Sequence, residues 1–279
     1  MPTLRRSQRT LRRLQRTLRH SILRQSELDI VIPPEISNDN FARLIRQLAA
    51  EPTVHTVLEI GSSSGAGSTA QLVAGLGEKE KTDLYCLELS SARFAELSKR
   101  YRHVLWVHCY NVSSVPLEKM PTEADVEEFF TTHPDSPIHR FKLKQVQRWL
   151  KQDIDYMRNA GAFQNGIDVA RRDAGVLFFD LVLIDGSEFT GEPELDELYG
   201  AKYILLDDTM TFKNWVNYER LSIDPNYELL EEDQSCRNAF AAFCLGLRVR
   251  LHPGIPSGRP RSQSGGRFRR RVPRGCPPR

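Results

Sequence analysis

The sequence predicts an α/β fold built on a mostly parallel sheet with helices on both faces. Three observations predict it. Short uninterrupted apolar runs recur between segments of helical periodicity, and such runs mark strands covered on both sides. A turn rich in glycine and serine, 61–67, follows the first run directly. The last two runs lie close together with no helical pattern between them, which predicts a closing antiparallel pair.

In chain order, a short amphipathic helix precedes the first strand, 56–61, and a second helix follows it to about residue 77. "DLYCLEL" at 83–89 is the second strand, with a helix over 91–101, and "HVLWVHCY" at 103–110 is the third. The fourth strand, "FFDLVLIDG" at 178–186, and the fifth, "YILLDDT" at 203–209, both run into acidic residues. Runs at 227–232 and 238–245 complete the sheet. The stretch 112–176 is too long for a plain connection between strand and helix. Within it, 139–161 reads as a helix with Val146, Trp149, Leu150, Ile154 and Met157 near one face, either as core packing or as a cap over substrate.

At 279 residues and 40% hydrophobic, the chain has enough apolar material for one α/β-sized core. No run approaches the roughly 20 apolar residues that span a bilayer. The basic N-terminal stretch lacks the apolar segment of a secretory leader. The five cysteines (Cys86, Cys109, Cys236, Cys244, Cys276) form no C-x-x-C pair, which favours reduced thiols and a cytoplasmic setting over disulfides or zinc. Net charge is +3, but the ends hold 18 of the 39 basic residues and none of the 36 acidic ones, so 27–245 stands at −15. Such a body is a poor match to a specific nucleic-acid binder.

Three segments follow from this. Residues 1–26 read as a basic amphipathic helix with Leu4, Leu11, Leu14, Leu18 and Ile22 on one stripe. That stripe suits packing on the domain or on a second subunit of a homo-oligomer. It also suits an anionic membrane surface, which would make the protein membrane-peripheral, or a transit peptide or nucleic-acid arm. Residues 27–245 form the folded domain, and 246–279 form an Arg/Gly/Pro-rich tail expected to be disordered.

"VLEIGSSSGAGST" at 57–69 admits several readings. Gly61-Ser62-Ser63-Ser64-Gly65 spells a hydrolase nucleophile elbow, yet the only histidine after Asp207 and Asp208 is His252, in the tail. No Gly-Lys-Ser/Thr follows, which removes a P-loop. The glycines are spaced four and then two, where a dinucleotide fingerprint has two and then three, and Glu59 would repel a pyrophosphate. S-adenosylmethionine (SAM) carries a sulfonium and an ammonium and no phosphate, so it tolerates Glu59. Glu88, 27 residues beyond Gly61 at the end of the second strand, can accept from two ribose hydroxyls.

With "LEIGSSSGAGST" and "LYCLELS" as its first two motifs, the chain resembles the class I SAM-dependent methyltransferases. "FDLVLIDGSEFTGEPELDELYGAKYILLDDTMTFKNW" resembles, more narrowly, bacterial small-molecule and sugar O-methyltransferases, and the resemblance covers 30–245. It implies a Rossmann-like class I methyltransferase fold: a mostly parallel seven-stranded sheet with a C-terminal antiparallel hairpin and a helical insertion before the fourth strand. It also implies that Glu59, Gly61, Ser63 and Gly65 form the loop against the methionine part of SAM, with Ser63 where many relatives have glycine. Glu88 would then bind ribose, and Asn111 would lie near the adenine, unless Asn111 only caps its loop.

Asp185, Asp207 and Asp208 fall at the carboxyl ends of the fourth and fifth strands, where ligands of open α/β sheets gather. Three readings are open there. The three carboxylates hold a hard cation such as Mg²⁺, as similar sugar O-methyltransferases do. Asp185 and Asp208 act on the acceptor without metal, Asp185 as a base. Or they cap helices and fix loops. The family's usual polar or histidine residue after the fourth strand is replaced by Ser187-Glu188, and no histidine lies in 178–215. Glu188, Lys213 and Asn214 are secondary candidates.

The expected function is transfer of a methyl group to a small hydroxylated acceptor, such as a sugar or glycan precursor. No Asp/Asn-Pro-Pro-Tyr follows the fourth strand, which speaks against nucleic-acid N-methylation. A competing class is a non-catalytic module of the same fold, tethered by its basic ends; it predicts weak SAM binding and salt-sensitive binding to polyanions. A nicotinamide-dependent oxidoreductase is opposed by the glycine spacing.

Overall fold

Buried strands and amphipathic helices alternate through the computed structural model, which describes residues 27–77 and 79–246. After a 3₁₀ turn at Glu27–Asp29, helix α1 (Asn40–Ala49) begins where the Asp39 side chain accepts from the Ala42 N–H. It buries Phe41, Leu44, Ile45 and Leu48 on one side. Then come β1 (Thr56–Ile60), α2 (Ser68–Leu76), β2 (Asp83–Leu87), α3 (Ser91–Tyr101) and β3 (Val107–Tyr110). The insertion contributes α4 (Glu123–Thr132), α5 (Leu143–Ala160) and α6 (Gly166–Ala174). The chain closes with β4 (Leu181–Ile184), α7 (Gly191–Leu198), β5 (Tyr203–Asp207), α8 (Trp215–Ile223), β6 (Tyr227–Asp233) and β7 (Phe240–Leu245).

The strands form one sheet in the order β3-β2-β1-β4-β5-β7-β6. All pairings from β3 to β5 are parallel, and β7 inserts antiparallel between β5 and β6. This is the Rossmann-like class I methyltransferase fold that the sequence predicts, with its antiparallel last pair. Strand order reverses between β1 and β4, which opens a crevice at their carboxyl ends.

Alternate strand residues supply the two faces, as a period of two requires. Val57, Leu84, Cys86, Leu183 and Leu205 pack against Phe41, Ile45, Leu72, Leu76 and Leu97 of α1–α3. Leu58, Leu87, Val182, Ile204 and Leu206 pack against Ile167, Leu195, Leu198 and Leu221 of α6–α8. Each such fully buried Leu, Ile or Phe contributes roughly 1.5–3 kcal/mol.

A third cluster joins α4 and α5 to the loops after β4 and β5, through Val126, Phe129, Val146, Leu150, Phe189 and Trp215. The packing reading of the α5 stripe therefore holds. Val146, Leu150 and Met157 are buried, while Trp149 and Ile154 pack at the margin of a cluster seated on the carboxyl edge.

Three sequence expectations need adjustment. The third strand begins at Val107, not His103, because 103–106 is turn and Leu105 points to solvent at 89% exposure. The fourth begins at Leu181, not Phe178, because Phe178 and Phe179 lengthen the apolar run without entering the strand. The insertion is three helices, of which only the middle one is plain in the sequence. The expected N-terminal helix at 1–26, and all of the tail after Gly246, lie outside the described residues. Among the described residues no helix is long and apolar enough to cross a membrane.

Candidate active site

The chain turns sharply as β1 ends. Gly61 has φ +83°, and a Cβ there would stand 1.9 Å from the Asp185 carbonyl oxygen, so glycine is required where the ends of β1 and β4 touch. Ser63 also takes a left-handed conformation, φ 49°. Its N–H donates to Glu88 Oε2 at 2.8 Å, which holds the strained residue in place. Gly65, φ +72°, lies against Leu97 and Tyr101, and the Tyr101 hydroxyl donates to its carbonyl at 2.6 Å. The loop is thus fastened to β2 and α3.

Glu88 is buried at the end of β2, and its second oxygen accepts from the Ser90 N–H at 2.7 Å. Burial pushes its pKa up, while the bonds from Ser90 and Ser63 and the charge of Arg93 oppose that. Two N–H bonds leave a carboxylate with lone pairs to accept from a sugar hydroxyl. Asn111 stands beside it, but its amide donates to the Glu88 and Leu89 carbonyls, both at 2.9 Å, and accepts from Ser91 Oγ at 3.2 Å. The loop-cap geometry is what this residue shows.

Glu59 sits elsewhere than a cofactor contact requires. It is wholly buried beneath the loop, and Ser68 Oγ and Thr69 Oγ1 each donate to one of its oxygens at 2.6 Å. Burial raises its pKa against the pull of those hydroxyls. Its work is to fasten the first turn of α2 to β1. The N-terminus of α2 has Gly67 at its cap and no capping side chain, so its first N–H groups suit an anionic group.

The segment before α1 runs over this half. Asp29 accepts from Ser90 Oγ at 3.0 Å and from the Tyr156 hydroxyl of α5 at 2.6 Å. Further along, Pro34 and the Ile36 carbonyl close on Gly67.

At the ends of β4 and β5, Asp185, Asp207 and Asp208 converge, with one oxygen from each within 4.8 Å of the others. Asp208 has φ 55°, which turns consecutive aspartates to different partners. Lys213 Nζ donates to Asp185 Oδ1 and to Asp208 Oδ2, both at 2.8 Å. Arg237, from the turn between β6 and β7, donates to Asp207 Oδ1 at 2.6 Å and also to Asp39. Asn238 Nδ2 completes Asp208 at 2.9 Å.

The electrostatics follow the pairing. Burial alone would pull the Lys213 ammonium down, but Asp185, Asp208 and Asp207 outweigh it and hold its pKa well above the usual range. Burial likewise works against the charge of Asp208, yet Lys213, Asn238 and Arg237 keep it below the ordinary carboxylate value. Asp207 is pushed up to about 6 by burial and by the charge of Asp208. Asp185 is raised by burial against the attraction of Lys213. Glu188 is raised to about 7, chiefly by burial, and its Oε1 is buried without a hydrogen-bond partner.

The carboxylates fit poorly to the metal expected of them. Oxygens that a hard cation would need are engaged by an ammonium and a guanidinium, which also supply the positive charge. The three aspartates do meet as the sequence predicts, with Lys213 shared by two of them and Arg237 on the third.

No protein-family model and no curated protein matches the chain. Among solved structures, an O-methyltransferase from Bacillus cereus in complex with SAH is similar over 77% of this chain and 84% of that one, at 13% identity and a TM-score of 0.46. A cofactor-bound Rv0187 from MTB is similar over 81% and 88%, at 16% identity and TM-score 0.44. A methyltransferase from Geobacter sulfurreducens is similar over 75% and 81%, at 10% identity and TM-score 0.46. Likeness at these levels leaves activity to be argued from the chain's own residues.

Of the residues singled out in the sequence, Gly61, Ser63, Gly65 and Glu88 form one continuous half-site, and Asp185 and Asp208 stand across the crevice from it. Arg237 and Asn238 were not singled out; left-handed backbone at Arg237 and Ala239, in a turn before the last strand, delivers them. Asp153 of α5 was missed as well. It accepts from Ser187 Oγ just after β4, and burial raises it to about 6.

Proposed function

We propose that the chain binds SAM and transfers its methyl group to the oxygen of a small hydroxylated acceptor. A sugar or glycan precursor is the acceptor class to test first, on the strength of the resemblance over the fourth and fifth strands. The observation that carries the cofactor reading is Glu88, a buried carboxylate bound to the Ser63 N–H of the loop at the sheet's switch point, with lone pairs left for ribose. When bound, SAM supplies an electrophilic methyl group on a sulfonium.

The chain's own residues do the rest. The loop 61–67 and the N-terminus of α2 hold the methionine end, and Glu88 accepts from the ribose. Asp185 and Asp208, fixed by Lys213, face the acceptor side. A carboxylate there takes the hydroxyl proton, and Glu188, raised to about 7 with one oxygen unpartnered, is suited to that exchange near neutral pH. Helices α4 and α5, packed on the loops after β4 and β5, limit water and select the acceptor.

Calorimetric titration of SAM and of NADH into the full chain tests this. SAM binding in the micromolar range, weakened about tenfold or more in Glu88→Ala, with no NADH binding, is the expected result. A folded protein that binds no SAM ends the methyltransferase reading.

A further inference from the structure

We propose that Lys213 is a built-in cation that takes the place of a divalent metal at the acceptor end of the site, so that the chain works without one. The pairing itself is the first support. The Lys213 side chain is only 7% exposed, and its ammonium bridges Asp185 and Asp208 at 2.8 Å each. Two of its three N–H donors are used in this way. Arg237 covers the third aspartate, so two monocations of the chain supply the charge that one divalent ion would bring.

The second support is independent of charge: the lysine is held rigidly. Next to it, the Asn214 side chain is completely buried and donates to the Ile184 carbonyl at 3.1 Å and to the Asp207 carbonyl at 2.6 Å. Those bonds tie the loop after β5 to the last residues of both β4 and β5. On the other side, a Cβ on Gly191 would stand 1.8 Å from the Lys213 carbonyl oxygen, so the start of α7 presses directly on the lysine's backbone. Asn217 Nδ2 locks the same contact by donating to the Gly191 carbonyl at 2.7 Å and to Asn214 Oδ1 at 2.8 Å. A surface lysine loses rotamer entropy when it forms an ion pair; here the backbone and its neighbours already fix the stem. A preorganised positive charge beside an acceptor oxygen lowers the cost of the negative charge that develops as its proton leaves.

What the charge is used for rests on the methyltransferase reading, but the test does not, because it reads metal binding in the absence of SAM. Mn²⁺ is titrated into the full wild-type chain and into Lys213→Ala, with free Mn²⁺ followed by its paramagnetic resonance signal. The expected result is no binding by the wild type at millimolar Mn²⁺ and an affinity gain of about tenfold or more in Lys213→Ala, a gain that disappears in Lys213→Ala/Asp185→Asn. If the wild type binds as tightly as the variant, if a folded Lys213→Ala gains nothing, or if the gain survives Asp185→Asn, the proposal is overturned. Should Lys213→Ala fail to fold alone, refolding with Mn²⁺ decides the matter: recovery of native far-UV circular dichroism supports the substitution of lysine for metal, and no recovery overturns it.

Discussion

The two halves of the carboxyl edge stabilise buried acids in opposite ways. Around β1 and β2, Glu59 and Glu88 receive only neutral donors: two hydroxyls for the first, two backbone N–H groups for the second. Around β4 and β5, Asp185, Asp207 and Asp208 receive an ammonium and a guanidinium. Neutral donors satisfy hydrogen-bonding capacity but leave the net charge in place, whereas cations remove it. The acids of the first half thus keep hydrogen-bond partners without a directly bonded cation, while those of the second half share two cations.

Breaking the cationic half has the largest effect. Lys213→Ala in metal-free buffer leaves buried carboxylates without their counter-charge and costs about 3–5 kcal/mol, read as a lower denaturation midpoint. In the neutral half, Glu59→Gln keeps the shape but removes the acceptor charge that two hydroxyls share. The loss is smaller, about 1–3 kcal/mol in chemical denaturation, and SAM affinity falls with it because α2 loosens from β1. If Glu59→Gln proves the costlier of the two, the contrast between the halves is wrong.

A pH series sharpens the comparison further. Glu188 is raised to about 7 in the fold against an ordinary value of 4.5, so the folded chain binds a proton that the unfolded chain releases between those values. Its contribution to stability is complete below about 4.5 and is lost as pH rises through about 7. Relative to wild type, Glu188→Gln should flatten the decline of melting temperature over that window, and an unchanged profile would refute the assignment. The smallest effect belongs to Ser63→Gly. Relief of the left-handed strain at φ 49° and the added freedom of the unfolded glycine nearly cancel, for a net change within about 1 kcal/mol.

The sheet was legible because strands buried on both faces must be apolar throughout, and Val57–Ile60 and Leu181–Ile184 are so except for Glu59, which the fold answers with Ser68 and Thr69. Apolar runs misled at their starts, where Leu105 and Phe178 stay exposed. Helix α4 carries a sequence signal that was passed over: Thr122 and Asp125 make a capping box at its start. The half around β1 and β2 could be read because its residues are neighbours in sequence or lie at strand ends. Arg237 could not: it reaches Asp207 only through the antiparallel register that sets Asp207 opposite Phe240, a pairing that no local pattern encodes. Lys213 was a secondary candidate, but its pairing depends on two carboxylates brought in by different strands.

The contact of Gly61 with the Asp185 carbonyl has one more consequence. It works as a spacer gauge of zero thickness, because backbone meets backbone with no side chain between them to change rotamer or to be exchanged. The offset between the ends of β1 and β4 is then a property of the sheet itself, insensitive to drift in sequence around it. On the proposed methyltransferase reading, new acceptors are to be sought by altering α4 and α5, the interchangeable jaw, while the calibrated span beneath them stays constant.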